Sequence, residues 1–291
     1  MADSLAVVWR SAAVHGRQYH GAVIADAAGR LRLSVLGCSS AVPHPAAPAA
    51  GFLVEWANTA VLLDVGQGVI RRLQAICDPR DLAGVVVGHM HADHFLDLAG
   101  LRYAYPWGEP AAVPLPLHLP PGGAARLDAL AEAISERRGF FDAAYDIDEY
   151  DPDVPLEIGP LTVTFRRGRH YIPAWAMAIE SPDGARLVYT GDTGPSDAMV
   201  DFARDADLLL VEAGLRDASD DDPERGHLTA PEAIDLAVRA GARETLLVHY
   251  APDRRPEIEV LCEGSPALIR PAVAGLVRTV QPAAAVVTPS P

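Results

Sequence analysis

Residues 84–94 read GVVVGHMHADH, a strand-forming run that leads directly into a cluster of metal-binding side chains. The apolar, β-branched residues 84–88 have the length and composition of a buried strand. Four potential ligands follow at the predicted strand-to-helix turn: His89, His91, Asp93 and His94. Such a turn can direct imidazoles and a carboxylate into one cleft, and a solvated loop has little reason to concentrate them. The stretch therefore predicts a metal site at a strand end.

Further potential ligands stand just beyond predicted strands elsewhere in the chain. His170, Asp192 and His249 each follow a short apolar run. Strand ends along one edge of a sheet converge, so we expect these side chains to meet the histidine cluster. Because the site would then draw on both halves of the chain, we predict one domain over residues 1–291, with an N-terminal hairpin extension at 1–30. The acidic, proline-bearing stretch 142–160 is also open to interpretation as a linker.

Strand-like runs and helix-period segments cover much of the chain. The predicted strands are at 31–36, 52–56, 60–63, 84–88, 161–165, 186–189, 207–211 and 245–248. The predicted helices are at 69–76, 93–105, 124–138, 196–206 and 230–240. The last of these has the best-defined start, because Thr229 and Glu232 have the spacing of a capping box. The strands come mostly in pairs before a helix, which favours an α/β sandwich of mixed sheets over a doubly wound parallel sheet.

Charge and composition exclude several functional classes. The 291 residues carry a net charge of −15, from 39 acidic and 24 basic residues. Long nucleic acid is therefore not an expected partner, and a small-molecule substrate is favoured. All the basic residues are arginine, which excludes a lysine nucleophile, a Schiff base and a P-loop lysine.

The same sequence gives expectations about compartment. No run reaches the roughly 18 apolar residues of a spanning helix, and the start lacks the pattern of an export signal. Cys38, Cys77 and Cys262 form no C-x-x-C pair, so neither a disulfide framework nor a thiolate zinc site is supported. We therefore expect no membrane association and a cytoplasmic location.

The order of the ligand candidates resembles the metallo-β-lactamase superfamily over nearly the whole chain. The resemblance implies an αββα sandwich of two mixed sheets, with two divalent metal ions along one edge. It implies two cation sites that share a bridging Asp192: His89, His91 and His170 for one, and Asp93, His94 and His249 for the other. The imidazole-rich donor set favours zinc and leaves manganese and iron open.

Two acidic residues would support the site in other ways. The run LLDVGQG at 62–68 is similar to the first motif of the superfamily, in which Asp64 would fix the histidine loop without binding metal. An aspartate that merely ends a strand before a glycine turn fits the same run equally well. A pair of divalent ions activates water at neutral pH, and Asp93 could also act in catalysis by orienting that water.

A branch of the superfamily is indicated by the runs LGCSSAVP at 36–43 and GHLTA at 226–230, together with Glu212. These resemble ribonuclease Z, and the resemblance implies that His227 and Glu212 assist departure of the leaving group. His227 stands just before a capped helix. The start of a helix favours bound anions and tends to lower the pKa of a nearby imidazole. A surface histidine in a loop is the plainer interpretation of the same residue.

The chain departs from ribonuclease Z in one respect. Enzymes that process transfer RNA carry a long arm between the third histidine and the bridging aspartate, and the 21 residues between His170 and Asp192 leave no room for it. The runs at 89–101 and 190–194 are similar instead to arm-less bacterial cyclic-nucleotide phosphodiesterases. We therefore expect a metal-dependent phosphodiesterase acting on small phosphodiesters such as cyclic nucleotides.

Other functions stay open from the sequence alone. An acyl hydrolase of the same superfamily, such as a lactonase, thioesterase or β-lactamase, is the main alternative, since the same activated water attacks a carbonyl carbon. A tRNA 3′ endonuclease is less favoured, and a metal-bearing scaffold without activity is least favoured. The sequence does not fix the oligomeric state, and a homodimer is left open because relatives of this branch often dimerise. Residues near the metal motifs could clamp phosphate, stack a base or pack in the core: Arg102, Tyr103, Trp107, Tyr171 and Trp175.

Overall fold

Two mixed seven-stranded sheets pack face to face in the computed structural model of the chain, which describes residues 13–14, 17–18, 29–42, 44–105 and 113–283. Ahead of the sheets, the short strands β1 (Ala13–Val14) and β2 (Arg17–Gln18) pair antiparallel. The rest of residues 1–28 lies outside the described residues, so the hairpin extension at 1–30 and the single-domain boundary stay predictions.

The first sheet joins an antiparallel half to a parallel half. Its strands are β3 (Leu31–Gly37), β4 (Gly51–Trp56), β5 (Thr59–Leu63), β6 (Gly84–Val86), β7 (Leu115–Leu119), β8 (Tyr145–Glu149) and β16 (Val277–Val280). The spatial order is β16-β3-β4-β5-β6-β7-β8. From β16 to β5 neighbours run antiparallel, and from β5 to β8 they run parallel. The carboxyl ends of β5 to β8 therefore share one edge.

The second sheet is built in the same way. Its strands are β9 (Leu156–Ile158), β10 (Leu161–Arg167), β11 (Trp175–Glu180), β12 (Arg186–Tyr189), β13 (Leu208–Glu212), β14 (Thr245–Val248) and β15 (Ile269–Pro271). They lie in the order β15-β14-β13-β12-β11-β10-β9. Strands β12 to β15 are parallel and β9 to β12 antiparallel, so the second sheet also gathers parallel strand ends at one edge.

Helices cover the outer face of each sheet. On the first sheet lie α1 (Val69–Leu73), α2 (Ala92–Phe95), α3 (Leu98–Leu101) and α4 (Gly123–Ser135), and on the second lie α5 (Asp197–Phe202), α6 (Ala230–Ala240) and α7 (Arg255–Glu263). Single 3₁₀ turns occur at Pro79–Asp81, Arg102–Ala104, Ala218–Asp220 and Pro252–Arg254. The layers are thus αββα, as the superfamily resemblance implied.

The alternation of side chains along the strands explains this layering. In β4, Phe52 and Val54 enter the core between the sheets, whereas Leu53 enters the core under the first helical layer. In β13, Leu210 faces the other sheet and Leu209 faces the second helical layer. Because both faces of the central strands are buried, strands such as β4 and β13 read as continuous apolar runs.

The predicted boundaries hold best where a local signal marks them. Helix α6 spans Ala230–Ala240 as predicted, and the capping box is present: Glu232 N donates to Thr229 Oγ1 and Thr229 N donates to Glu232 Oε2. The linker interpretation of 142–160 was wrong, since β8 and β9 lie within it. Strand β8 reads YDIDE and lies at the edge of the sheet. Its exposed side chains are acidic, so the sequence lacks the apolar run by which the other strands were predicted.

No helix among the described residues combines the length and the apolar character needed to cross a lipid bilayer. The same part of the chain holds three free cysteines, each buried: Cys38, Cys77 and Cys262.

Candidate metal centre

The structure brings all the predicted ligands together at the shared edge of the two sheets. The first group comprises His89, His91, His170 and Asp192, with one ligand atom of each within 4.8 Å of the others. The second group comprises Asp93, His94, His249 and Asp192, within the same distance. Asp192 belongs to both groups, as expected of a bridging carboxylate.

Close contacts between ring nitrogens mark the first group. His170 Nε2 lies 2.9 Å from His91 Nδ1, and it lies 3.9 Å from Asp192 Oδ2. His89 Nε2 lies 3.6 Å from the same carboxylate oxygen. Three imidazoles and one carboxylate oxygen thus surround a common point, which is the donor arrangement of a zinc-type site.

Carboxylates contribute more to the second group. His249 Nε2 lies 3.1 Å from Asp93 Oδ2 and 3.4 Å from Asp192 Oδ2. His94 Nε2 lies 3.4 Å and 3.3 Å from the same two oxygens. Two imidazoles and two carboxylate oxygens meet here, a mixed N/O set that suits zinc, manganese or iron.

Buried polar atoms without partners indicate that the cluster is built for cations. His89 is fully buried and Asp192 is 2% exposed. Both ring nitrogens of His89 and the Oδ1 atom of Asp192 lack a hydrogen-bond partner within the described residues. Leaving buried polar groups unpaired costs about 1–3 kcal/mol each, and divalent cations would satisfy one nitrogen of His89 and the oxygen of Asp192. The residues therefore fit a metal pair.

The protonation of the first group also suits metal ligation. Burial lowers the pKa of His89 and brings the pKa of His170 to about 4. Both imidazoles are therefore neutral near pH 7, the form that binds metal. His94 differs, because the carboxylates of Asp192 and Asp64 overcome the effect of burial and raise its pKa well above the usual value.

Asp64 stands behind the cluster and fixes His94. Its Oδ2 atom lies 2.7 Å from His94 Nδ1 and accepts a 2.9 Å hydrogen bond from the Tyr189 hydroxyl. Its Oδ1 atom accepts a 2.8 Å hydrogen bond from the backbone N–H of Gly88. His94 Nε2 is therefore left to face the cluster. Tyr189 was not singled out from the sequence, since it reads only as the end of a strand.

Two of these residues adopt a backbone conformation that side chains usually avoid. Asp64 has a φ of 57° and His249 a φ of 53°, both in the left-handed region favoured by glycine. Each follows the end of a strand, β5 and β14 respectively. The turn at each position brings a functional side chain into the site directly after the sheet ends.

Glu212 and His227 form a pair beside the cluster. Glu212 is fully buried, and its Oε1 atom lies 2.8 Å from His227 Nδ1. The same carboxylate accepts hydrogen bonds from Thr193 N at 3.0 Å and from Gly214 N at 2.8 Å. The His227 ring lies 4.9 Å from that of His170 and 5.3 Å from that of His249. His227 is therefore held in one orientation at the edge of the cluster.

The expected fall in the pKa of His227 was wrong. Burial disfavours the charged imidazole, but the hydrogen bond to Glu212 and the charges of Glu212 and Asp192 raise its pKa to about 9. The carboxylate partner thus outweighs the start of α6 in setting the charge of this histidine.

Gly226 supports the site and was also missed as a functional residue. Its carbonyl oxygen lies 2.8 Å from His170 Nδ1, which leaves Nε2 of that ring for the cluster. A Cβ at position 226 would lie 2.6 Å from the same Nδ1 atom and 2.9 Å from Tyr171. Only glycine fits so close an approach. Its place directly before His227 in GHLTA was the available signal.

The remaining candidates fall in different places. Tyr171 is 52% exposed, donates to Asp221, and its ring lies 5.6 Å from that of His227. Trp175 is buried between the sheets, so core packing was the right interpretation. Arg102 and Tyr103 line a separate groove, and Trp107 lies outside the described residues.

The segment between the third histidine and Asp192 has no folded arm. Residues 171–191 are all described and consist of a short loop, β11, a turn at 181–185 and β12. The two strands pair directly with each other. The residues between the two ligands are therefore taken up mainly by one antiparallel pair of strands.

Comparisons with known proteins agree with this geometry. A family model described as the beta-lactamase superfamily domain matches residues 59–250. The Mycobacterium tuberculosis protein Rv1339 is 35% identical over 237 residues, which cover 80% of this chain and 84% of that protein. Ribonuclease Z of Mycobacterium bovis is 30% identical over 248 residues, which cover 76% of this chain and 86% of the enzyme.

A solved structure shows the same architecture. The crystal structure of the metallo-beta-lactamase fold protein YhfI from Bacillus subtilis superposes with a TM-score of 0.73 at 26% identity. The match covers 86% of this chain and 99% of YhfI. The likeness therefore extends over both sheets and the edge that carries the cluster.

Proposed function

The chain belongs to the metallo-β-lactamase superfamily and to its ribonuclease Z-like branch of metallo-hydrolases, and from this premise we propose that it is a phosphodiesterase with two metal ions. The proposed substrates are small phosphodiesters such as cyclic nucleotides. His89, His91 and His170 would hold one cation and Asp93, His94 and His249 the other, with Asp192 between them. We propose zinc as the metal, with manganese and iron as alternatives.

The observation that carries the proposal is the Glu212–His227 pair beside the cluster. A 2.8 Å contact with Glu212 occupies Nδ1 of His227, so Nε2 is the nitrogen free to donate a proton. A phosphodiester releases an alkoxide, which departs more easily when a general acid protonates it. His227 would serve as that acid, and Glu212 would hold the ring and stabilise its charge.

The other roles follow from chemistry and position. Bound divalent cations supply activated water at neutral pH and neutralise charge on the attacked phosphoryl group. Asp93 Oδ2, 3.1 Å from His249 Nε2, would accept a hydrogen bond from the attacking water and orient it. Asp64 and Gly226 would keep His94 and His170 in the tautomers that ligation requires.

Substrate size is inferred from what borders the cluster. The direct pairing of β11 with β12 leaves no arm to hold a folded RNA, and the net charge of −15 opposes long polyanions. Tyr171 offers an exposed ring beside His227, and an aromatic face can stack a nucleobase. Ribonuclease Z is by name a nuclease, and the phosphodiester linkage is what a cyclic nucleotide shares with RNA.

A substrate screen with quantified metal tests the proposal. We expect hydrolysis of cyclic nucleotides and of bis(p-nitrophenyl) phosphate, and we expect His227→Ala to lower that turnover about 10²–10⁴-fold while elemental analysis still finds two metal equivalents. An exposed arginine variant, Arg126→Ser, is the matched control and should retain full turnover. Esters, a lactone, a thioester and a β-lactam belong in the same screen.

The screen also separates the competing functions. Hydrolysis of carbonyl esters above that of phosphodiesters, unaffected by His227→Ala, would replace the proposal with an acyl hydrolase. Two metal equivalents without turnover of any substrate would indicate a scaffold. A cytoplasmic location, which the buried free thiols of Cys38, Cys77 and Cys262 support, and a homodimer are further proposals, checked by fractionation and by sedimentation.

A further inference from the structure

We propose that a groove at the end of the first sheet opposite the metal cluster binds a nucleoside monophosphate. The groove has a volume of about 440 Å³, and its lining includes Arg102, Tyr103, Arg137, Arg138 and Phe140. Its size lies within the roughly 300–1,000 Å³ of small-ligand sites. Guanidinium groups and aromatic rings thus meet in one depression on a chain whose net charge is −15.

The path of the chain places this groove away from the cluster. Ala124 N, at the start of α4, donates to Glu149 at the carboxyl end of β8 over 2.9 Å. Helix α4 then runs for 13 residues, about 20 Å at 1.5 Å per residue, and ends at Ser135. On the other side of the groove, the Tyr105 hydroxyl donates to Pro79 O, just before β6 begins. The groove therefore lies at the amino ends of the parallel strands.

Two of the arginines are available to a ligand. Arg137 and Arg138 are both exposed, and neither forms an ion pair with any described residue. The neighbouring carboxylates Glu136 and Asp142 form no ion pair with them either within that part of the chain. Guanidinium groups bind phosphate through paired N–H donors. Two adjacent ones match the charge of a single phosphomonoester, which is a dianion above a pKa near 6.

The other groups give the groove a fixed aromatic wall. The Arg102 Nε–H donates to the carbonyl oxygen of Phe140, and its guanidinium carbon lies 3.8 Å from the centre of the Phe140 ring. Tyr103 packs edge to face against Phe140 at 6.2 Å and is 57% exposed. Arg102 is thus committed to holding the wall together, and Tyr103 presents a ring on which a base can stack.

Phosphate-binding groups beside a stacking ring together indicate a nucleotide. The choice of a monophosphate rests on the proposed function, since hydrolysis of a cyclic nucleotide opens the ring and leaves one phosphomonoester. The groove would then sense the product at a site remote from the one that forms it. A nucleotide bound here touches none of the residues assigned to the metal cluster.

Hydrogen–deuterium exchange of the metal-loaded full chain tests the assignment, with adenosine 5′-monophosphate as the probe. We expect protection of peptides covering residues 98–105 and 135–144. The double variant Arg137→Ser/Arg138→Ser should lose this protection or require at least about tenfold more nucleotide, whereas Arg126→Ser, an exposed arginine of α4 outside the groove, should keep it. Protection that survives in the double variant overturns the proposal.

Two smaller probes and one further variant define the ligand. Adenosine and inorganic phosphate should each protect these peptides less than the nucleotide, and Tyr103→Ala should abolish the preference for nucleotide over phosphate. Phosphate as effective as the nucleotide would overturn the assignment of a nucleotide site. Protection that depends on protein concentration, without ligand, would overturn it in favour of a second copy of the chain.

The readout is independent of turnover. If cyclic nucleotides are not hydrolysed but the groove is still protected, the proposed function fails and the groove stands. If cyclic nucleotides are hydrolysed and the groove shows no protection, the proposed function stands and the nucleotide site in the groove is overturned.

Discussion

At the carboxyl ends of the parallel strands, the carboxylates that support the metal cluster are each held by hydrogen bonds from the fold, whereas at the amino ends Arg137 and Arg138 form no ion pair with any described residue. Asp64 accepts from Gly88 and Tyr189, and Glu212 accepts from two backbone N–H groups. Arg137 and Arg138 project from a loop instead. The first region is preorganised before any ligand binds, and the second is free to adapt to one.

Preorganisation should make the cluster intolerant of small changes. The largest effect is expected at Asp192, which belongs to both ligand groups. Asp192→Asn should leave less than two metal equivalents and lower turnover by about a thousandfold, the equivalent of roughly 4 kcal/mol. Elemental analysis and steady-state kinetics measure the two quantities. The matched control is Asp197→Asn, because this aspartate lies on the surface at the start of α5; full metal content in Asp192→Asn would contradict the bridging role.

A smaller effect is expected one step away from the metal. Asp64→Asn keeps the shape of the side chain but removes the negative charge that faces His94 Nδ1 at 2.7 Å. Loss of such a partner typically costs about 10–100-fold in metal affinity, which competition with a chelator measures. Asp97→Asn is the control, since Asp97 accepts from the N–H of Ile70 at the start of α1; equal chelator sensitivity of the two variants would remove Asp64 from the support of the cluster.

The smallest effect concerns stability alone. Thr229→Ala removes the hydroxyl that caps α6 and should lower the free energy of unfolding by about 1 kcal/mol, a fall of roughly 2 °C in the melting temperature of a domain of this size. Thr229→Ser retains the cap and should melt close to the parent. A larger loss of turnover than of stability in Thr229→Ala would show that the cap also positions His227, two residues earlier in the chain.

The two regions also differ in how far the sequence predicts them. The cluster was predictable because His89, His91, Asp93 and His94 stand together after one strand, and because strand ends converge. The groove was not, since Arg102 and Arg137 lie far apart in the chain and meet only because α4 runs back along the sheet. Proximity of Arg102 to the metal motif in sequence was misleading, because α2 and α3 lead away from the site.

The same reasoning explains two other errors. The raised pKa of His227 depends on Glu212, which reaches it from another strand, and no local rule gives the partner of a loop histidine. Strand β8 is identified by its pairing with β7 along five positions. Its own sequence, with outward carboxylates, is not typical of a strand. Both features are set by tertiary contacts.

The left-handed backbone at Asp64 and His249 has a consequence for how this chain can change. Glycine would relax either turn, yet glycine has no side chain to bind metal or to hold His94, so the proposed roles of Asp64 and His249 require the conformational cost of about 1–3 kcal/mol per residue. At Asp64, glycine would also leave the Gly88 N–H, the Tyr189 hydroxyl and His94 Nδ1 without their partner, at about 1–3 kcal/mol for each buried group, so that variant should melt below the parent even though its turn is relaxed. The strained torsion at Asp64 is thus retained by the hydrogen bonds that its carboxylate makes.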